Sequence, residues 1–179
     1  MEEAGADLIE LGIPFSDPTA EGPVIQDANL RALSGGITTD AVFEMVRRIR
    51  RNTSIPMAFM TYANVVFSYG TERFIRTASE IGMDGLILPD VPFEEKEEFD
   101  SVCRKYGLGV TGVRSEITTD VGKMVQLVKE EQDIPCAVGF GISTEEQAGK
   151  MAEVSDGVIV GSAIVKLCGR YKEQCVPYI

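Results

Sequence analysis

The chain has 179 residues, 44% of them hydrophobic, enough to bury a core as one domain, and nothing in it reads as linker or low-complexity tract. Its 17 basic and 28 acidic residues give a formal net charge of −11, which repels phosphate backbones and anionic lipid and argues against nucleic acid and membrane as partners. No apolar run approaches the roughly 20 residues of a membrane span, and Met1-Glu2-Glu3 is unlike a signal peptide, so a cytoplasmic location is expected.

The four cysteines, Cys103, Cys136, Cys168 and Cys175, show no Cys-x-x-Cys spacing, and the chain contains no histidine. His-based triads, most zinc sites and imidazole catalysis are thereby excluded, leaving carboxylates, Tyr, Lys and Cys for any proton transfer. Reduced, mostly buried thiols are expected, with Cys103 on a helical apolar stripe and Cys136 inside a strand.

In chain order, residues 8–11 read as a strand that ends on a carboxylate, Glu10. The following loop, through Pro23, is held open by three prolines and two glycines. A strand end followed by such a loop is where α/β folds place acid/base groups, and Glu21 returns a second carboxylate from within the loop. The alternative is that Glu10 points at solvent and Glu21 begins the next helix. That alternative suits Glu21 on its own residues, but not Glu10, which is flanked by Ile9, Leu11 and Gly12.

Residues 40–51 read as a helix with Val42, Met45, Val46 and Ile49 on one face, 57–61 as a strand, and 70–81 as a helix with Phe74, Ile75, Ala78 and Ile81 inward. A strand at 86–88 and a helix at 94–106 follow, the latter aligning Phe99, Val102, Cys103 and Tyr106. The junctions before Leu8, Leu86 and Val158 are alike, each placing small and acidic residues (Asp7, Asp84, Asp156) between a helix end and an apolar run. Such runs mark a parallel sheet covered by helices, and the pattern is βαβ. After Tyr106 the rhythm breaks. Residues 107–112 lead through polar residues to a helix at 120–130, with no strand predicted between two successive helices. Strands at 136–138 and 158–160 and helices at 144–152 and 163–168 complete a count of five strands, short of the ~250 residues of an eight-stranded barrel.

Two strand ends carry glycine: Val138-Gly139-Phe140-Gly141-Ile142-Ser143 and Val160-Gly161-Ser162-Ala163-Ile164-Val165-Lys166. Bare backbone N–H groups at a helix start suit a dianionic phosphate. Each glycine alone is equally compatible with an ordinary turn, but two successive units with the feature favour phosphate.

The loop 9–23, the runs Met60-Thr61-Tyr62-Ala63-Asn64, Leu88-Pro89-Asp90-Val91-Pro92 and Gly109-Val110-Thr111-Gly112, and the two glycine-bearing stretches, in that order over nearly the whole chain, resemble the tryptophan synthase alpha chain family. The resemblance implies an α/β fold of the TIM (β/α)8-barrel type. It also implies cleavage of indole-3-glycerol phosphate to indole and glyceraldehyde 3-phosphate without a cofactor, beside a PLP-dependent beta chain in a heterotetramer. Glu10 then matches the principal acid/base and Glu21 the second carboxylate, usually Asp. Tyr62 resembles the tyrosine beside the substrate, with a core aromatic as its alternative, and Thr111 resembles the mobile-loop threonine. Gly112, Phe140, Gly141, Gly161 and Ser162 match phosphate-gripping positions, and Asp17, Pro18, Asn64 and Asp90 match loop positions facing the beta chain.

Against that family the chain reads as one incomplete barrel over 1–179. It lacks an N-terminal strand and helix, has a shorter final helix, and shows a gap or deletion of strand, helix and strand between Leu108 and Gly109, where the periodicity also breaks. Two other readings stay open: a different sugar-phosphate barrel enzyme, or a non-catalytic barrel fragment that binds phosphate or a partner only.

Overall fold

The computed structural model describes residues 1–112, 121–131, 133–139 and 141–179. The chain divides into two compact units, Met1–Ser115 and Glu116–Ile179.

In the first unit four strands, β1 (Ile9–Gly12), β2 (Met57–Met60), β3 (Gly85–Leu88) and β4 (Gly109–Gly112), form one parallel sheet in sequence order. Each strand thus lies beside its successor, the stepping of a singly wound barrel. The connections carry α1 (Pro23–Ser34), α2 (Thr39–Ile49), α3 (Ala63–Tyr69), α4 (Thr71–Glu80) and α5 (Glu97–Tyr106). Period-2 alternation sorts the strands into two faces. Ile9, Leu11, Met57, Phe59, Leu86, Leu88 and Val110 enter the core, where Val42, Phe43 and Val46 of α2, Phe74 and Ile75 of α4, and Phe99 and Cys103 of α5 meet them. The Phe43, Phe59 and Phe74 rings lie 5.2–6.1 Å apart, and each is at most 1% exposed. Burying each contributes about 1.5–3 kcal/mol.

The foot of this sheet is closed by polar groups. Arg50, capping α2, donates to the carbonyls of Ile55 and Gly82 and to the Asp84 carboxylate at 2.8 Å, while Asp84 also accepts the Met57 N–H at 2.9 Å. The aspartate that the repeated junctions single out therefore ties the start of one strand to the start of the next.

The five-strand reading is corrected here. Gly109–Gly112 is a fourth strand in register with β3, Gly85 opposite Gly109 and Leu88 opposite Gly112, so α5 and the next helix do have a strand between them. Two glycines and a threonine carry little hydrophobic signal, and backbone pairing decides the conformation. Helices α1 and α3 are also additions. Among the described residues α1 has no buried side chain, and α3 is seven residues long, so neither leaves a clear 3.6-residue stripe.

The second unit contains α6 (Val121–Glu131), β5 (Ala137–Val138), α7 (Glu145–Ala152), β6 (Gly157–Val158) and α8 (Ser162–Tyr171), with β5 and β6 parallel. Its described buried apolar residues are Val125, Val138 and Ile142. The foot repeats the device of the first unit. Asp156 accepts the Cys136 N–H at 2.8 Å and pairs with Lys129 at 2.7 Å. These contacts hold the Asp156 carboxyl below the usual range, the lysine bond first and the backbone N–H second.

The cysteine expectation is corrected in part. Cys103 is buried, and desolvation pushes its thiol to about 11, an inert core group. Cys136, Cys168 and Cys175 are half-buried, and Cys136 lies just before β5 rather than within it.

Candidate active site

Glu10 is the second residue of β1, and alternation turns it to the face opposite the helix-covered core. The register across that face is Glu10, Ala58, Gly85, Gly109, so the carboxyl heads a row whose other members have almost no side chain. The row is packed closely enough that a Cβ at Gly85 would come within 3.3 Å of the Ala58 Cβ. A row of small residues beside one carboxyl suits a small planar substrate. Among the described residues Glu10 has no hydrogen-bond or ion-pair partner, and desolvation alone raises its pKa. A carboxyl displaced upward by burial and left without a partner holds its proton more firmly than an exposed one, as a general acid must.

Beyond β1 the Pro-rich loop is pinned by Tyr62. The Tyr62 hydroxyl accepts the N–H groups of Thr19 at 3.0 Å and Ala20 at 2.9 Å and donates to the Glu21 carboxylate. Its ring stacks on Phe15 with centroids 5.0 Å apart. Burial, and then the bond to Glu21, push the phenol upward. Tyr62 is 3% exposed, so it is a core aromatic by burial, but its hydroxyl holds a carboxylate and a loop. The two sequence-predicted residues Tyr62 and Glu21 are thus brought together. Glu21 does not begin a helix, since α1 starts at Pro23 with Gly22 as its N-cap.

Around this loop, Asp17 is exposed and accepts from the Ser16 hydroxyl, and Pro18 is half-buried beside it. A cleft of about 240 Å³ is lined by residues 15–18 of the loop with Gln26, Asn29 and Leu30 of α1. Asn64 is exposed in the first turn of α3 and accepts weakly from Ser68 at 3.5 Å. Asp90 accepts the Ala63 N–H with both oxygens, at 3.0 and 3.1 Å, and so caps α3 from a neighbouring loop, because Tyr62 at the N-cap offers no side-chain bond. Thr111 and Gly112 belong to β4, in register with Ile87 and Leu88.

In the second unit the two helix starts differ. At α7 a capping box closes the N-terminus: Thr144 accepts the Gln147 N–H at 3.2 Å, and the Gln147 side chain accepts from the N–H groups of Ser143 and Thr144. At α8 the N-cap is Gly161, with no side-chain cap, and Ser162 is the first helical residue. The first N–H groups of an uncapped helix attract anions. Gly141, in the loop between β5 and α7, has φ +73 and open space where a Cβ would stand. Phe140 lies outside the described residues.

Sequence reasoning missed Ala58, Gly85, Gly109 and Phe15. Gly85 stood in a recognised junction, but only strand register aligns it with Glu10. Among the described residues no group of three or more His, Cys, Asp or Glu side chains could hold a metal ion, and no helix is long and apolar enough to cross a membrane.

The family model of the tryptophan synthase alpha chain matches residues 1–109 and 106–177. The alpha chain of Lacticaseibacillus casei is 38% identical over 205 residues, covering 97% of this chain and 77% of that protein. The Caldanaerobacter subterraneus alpha chain is 41% identical over 206 residues, covering 98% and 79%. Among solved structures, the Pyrococcus furiosus tryptophan synthase complex is similar at a TM-score of 0.88 and 30% identity, covering 98% of this chain and 84% of that one. The alpha subunit from Legionella pneumophila is similar at 0.86 and 37%, covering 96% and 76%.

Proposed function

This chain belongs to the tryptophan synthase alpha chain family, with its TIM (β/α)8-barrel type of fold and its place in tryptophan biosynthesis, and from that premise we propose that it cleaves indole-3-glycerol phosphate to indole and glyceraldehyde 3-phosphate. The observation that carries the proposal is the Glu10 carboxyl, raised by desolvation and heading the row that Ala58, Gly85 and Gly109 continue.

In this reading Glu10 delivers its proton to the indole ring carbon that bears the glycerol chain, and the pyrrole nitrogen takes up the resulting positive charge. Glu21 accepts the indole N–H and offsets that charge. The carbon–carbon bond then breaks, its electron pair returning to the ring, while the neighbouring glycerol hydroxyl loses its proton to Glu10 and becomes the aldehyde. Protonation by one positioned carboxylic acid is worth roughly 10²–10⁴-fold in rate. Tyr62 is the positioning residue for Glu21, and its hydrogen bond compensates for the extra methylene that Glu has over Asp.

The phosphate is gripped by amides at Gly112, Phe140, Gly141, Gly161 and Ser162. The α8 start, which has no side-chain cap where α7 has a capping box, supports this assignment. Thr111 meets Glu21 when the site closes. Asp17, Pro18, Asn64 and Asp90 face a beta chain in a cytoplasmic alpha2beta2 assembly, the surface cleft beside Asp17 and Pro18 supporting contact there. The whole chain 1–179 acts as one barrel. The family match in two segments that meet at 106–109, with alignments of 205 residues for a chain of 179, supports a deletion between Leu108 and Gly109. An intact mass of 19.5 kDa for active protein establishes that junction, and a heavier one removes it.

The deciding experiment is Glu10→Gln. Indole release is expected to fall by roughly 10²–10⁴-fold while indole-propanol phosphate binds with nearly unchanged affinity. A Glu10→Gln protein that still releases indole at the unaltered rate overturns the assignment. The deletion favours one second reading, a barrel that binds the phosphate ligand without reaction. It wins if the unaltered protein binds indole-propanol phosphate but never releases indole.

A further inference from the structure

The C-terminal residues after α8 fold back upon that helix and bring two thiols together. Lys172 leaves the helix with φ 49, the one described non-glycine residue at positive φ, and reverses the chain. Two short 3-10 turns follow, Lys172–Gln174 and Val176–Tyr178, bonded by the Cys175 N–H to the Lys172 carbonyl at 3.1 Å and the Tyr178 N–H to the Cys175 carbonyl at 2.9 Å. Tyr178 stacks face to face on Tyr171, centroids 3.8 Å apart and planes 9° from parallel. Three residues before each tyrosine stands a cysteine, so the fold-back that stacks Tyr178 on Tyr171 brings Cys175 toward Cys168, whose thiol is pushed upward by burial first and by Cys175 second. Both are free and half-buried.

We infer that Cys168 and Cys175 form a redox clasp, closed to a disulfide by exchange with a low-molecular-weight disulfide, which staples the C-terminal turn to α8. One of the two thiols, as its thiolate, attacks a sulfur of the oxidant and expels one thiolate. The second thiolate then attacks the protein sulfur of that mixed disulfide and expels the other half. The protein gives up two electrons and two protons, and the oxidant leaves as two thiols. The tyrosine stack keeps the turn folded against the helix, so the second step is intramolecular. Cys103 is 0% exposed, out of reach of an oxidant, and Cys136 donates to the Ile134 carbonyl at 3.6 Å, so both stand as internal controls. This inference does not depend on the proposed reaction.

The test treats the full chain with oxidised glutathione and follows intact mass and peptides. The expected product has lost two hydrogens. Trypsin, cutting after Arg170 and Lys172, leaves the Cys168 and Cys175 peptides joined until a reductant is added. Tyr178→Ala removes the stack and is expected to shift the product roughly tenfold from the internal disulfide toward glutathione adducts, as the local effective concentration falls. Circular dichroism of this variant establishes that the chain remains folded. Glutathione adducts on both residues of the unaltered protein, or a bond from either to Cys103 or Cys136, would overturn the inference.

Discussion

In Met1–Ser115, four strands press Met57, Phe59, Leu86 and Leu88 into a continuous apolar core with α2, α4 and α5. In Glu116–Ile179, two strands of two residues each are accompanied by three described buried apolar side chains. Yet both units close the foot of their sheet in the same way, with an aspartate before a strand that accepts an N–H at the foot of the preceding strand, Met57 in β2 and Cys136 just before β5, and pairs with a cation. The difference teaches that the polar frame and the apolar core are separable. The first unit, which holds the proposed acid/base groups, is fixed by burial. The second, which holds the uncapped start of α8, relies on capping at α7 and on backbone bonds.

Substitutions sharpen that contrast. Phe59→Ala removes a ring that is 0% exposed and touches two others, and is expected to cost about 3–5 kcal/mol in urea unfolding. Ile142→Ala in the second unit should stay near the low end of the ~2–5 kcal/mol range, because among the described residues only Val125 and Val138 are buried apolar side chains besides it in that unit. Equal losses would break the comparison. Tyr62→Phe leaves two loop N–H groups and the Glu21 carboxylate without their shared partner. A loss of about 1–3 kcal/mol is expected, with kcat reduced more than KM is raised. Thr144→Ala opens the α7 capping box and should cost about 0.5–2 kcal/mol, read as faster amide exchange at residues 145–148 and no change in the first unit.

The smallest effect is electrostatic. The folded Glu10 carboxyl has a pKa above its unfolded value of 4.5. Between those two values the folded state holds a proton that the unfolded state has lost, so stability falls as pH rises through that window and is level above it. Glu10→Gln therefore matches the unaltered protein below the window and is the more stable of the two above it, as paired thermal scans at pH 4 and pH 7 would detect.

Much of this was legible beforehand. Helices α2, α4 and α5 carry apolar residues at helical spacing, and the three Asp-bearing junctions pointed to the feet of strands that the structure shows tied together at Asp84 and Asp156. Glu10 stood out because a carboxylate flanked by Ile9 and Leu11 at a strand end has no reason to be there for packing. What could not be read was set by partners distant in sequence. β4 is a strand because β3 lies beside it, and the small residues in the row of Glu10 fall in line only through register. The hold of Tyr62 on Glu21 spans 41 residues, and no local pattern announces it.

The central claim is that the Glu10 carboxyl is the acid/base group of the proposed reaction and meets the bound substrate. NMR titration of the carboxyl carbon of Glu10 in the full chain, with and without indole-propanol phosphate, tests it most directly. Loss of water around the carboxyl when the ligand binds disfavours its ionised form, so the account predicts a further rise in the Glu10 pKa on binding. A ligand that binds yet leaves that titration unmoved would contradict it.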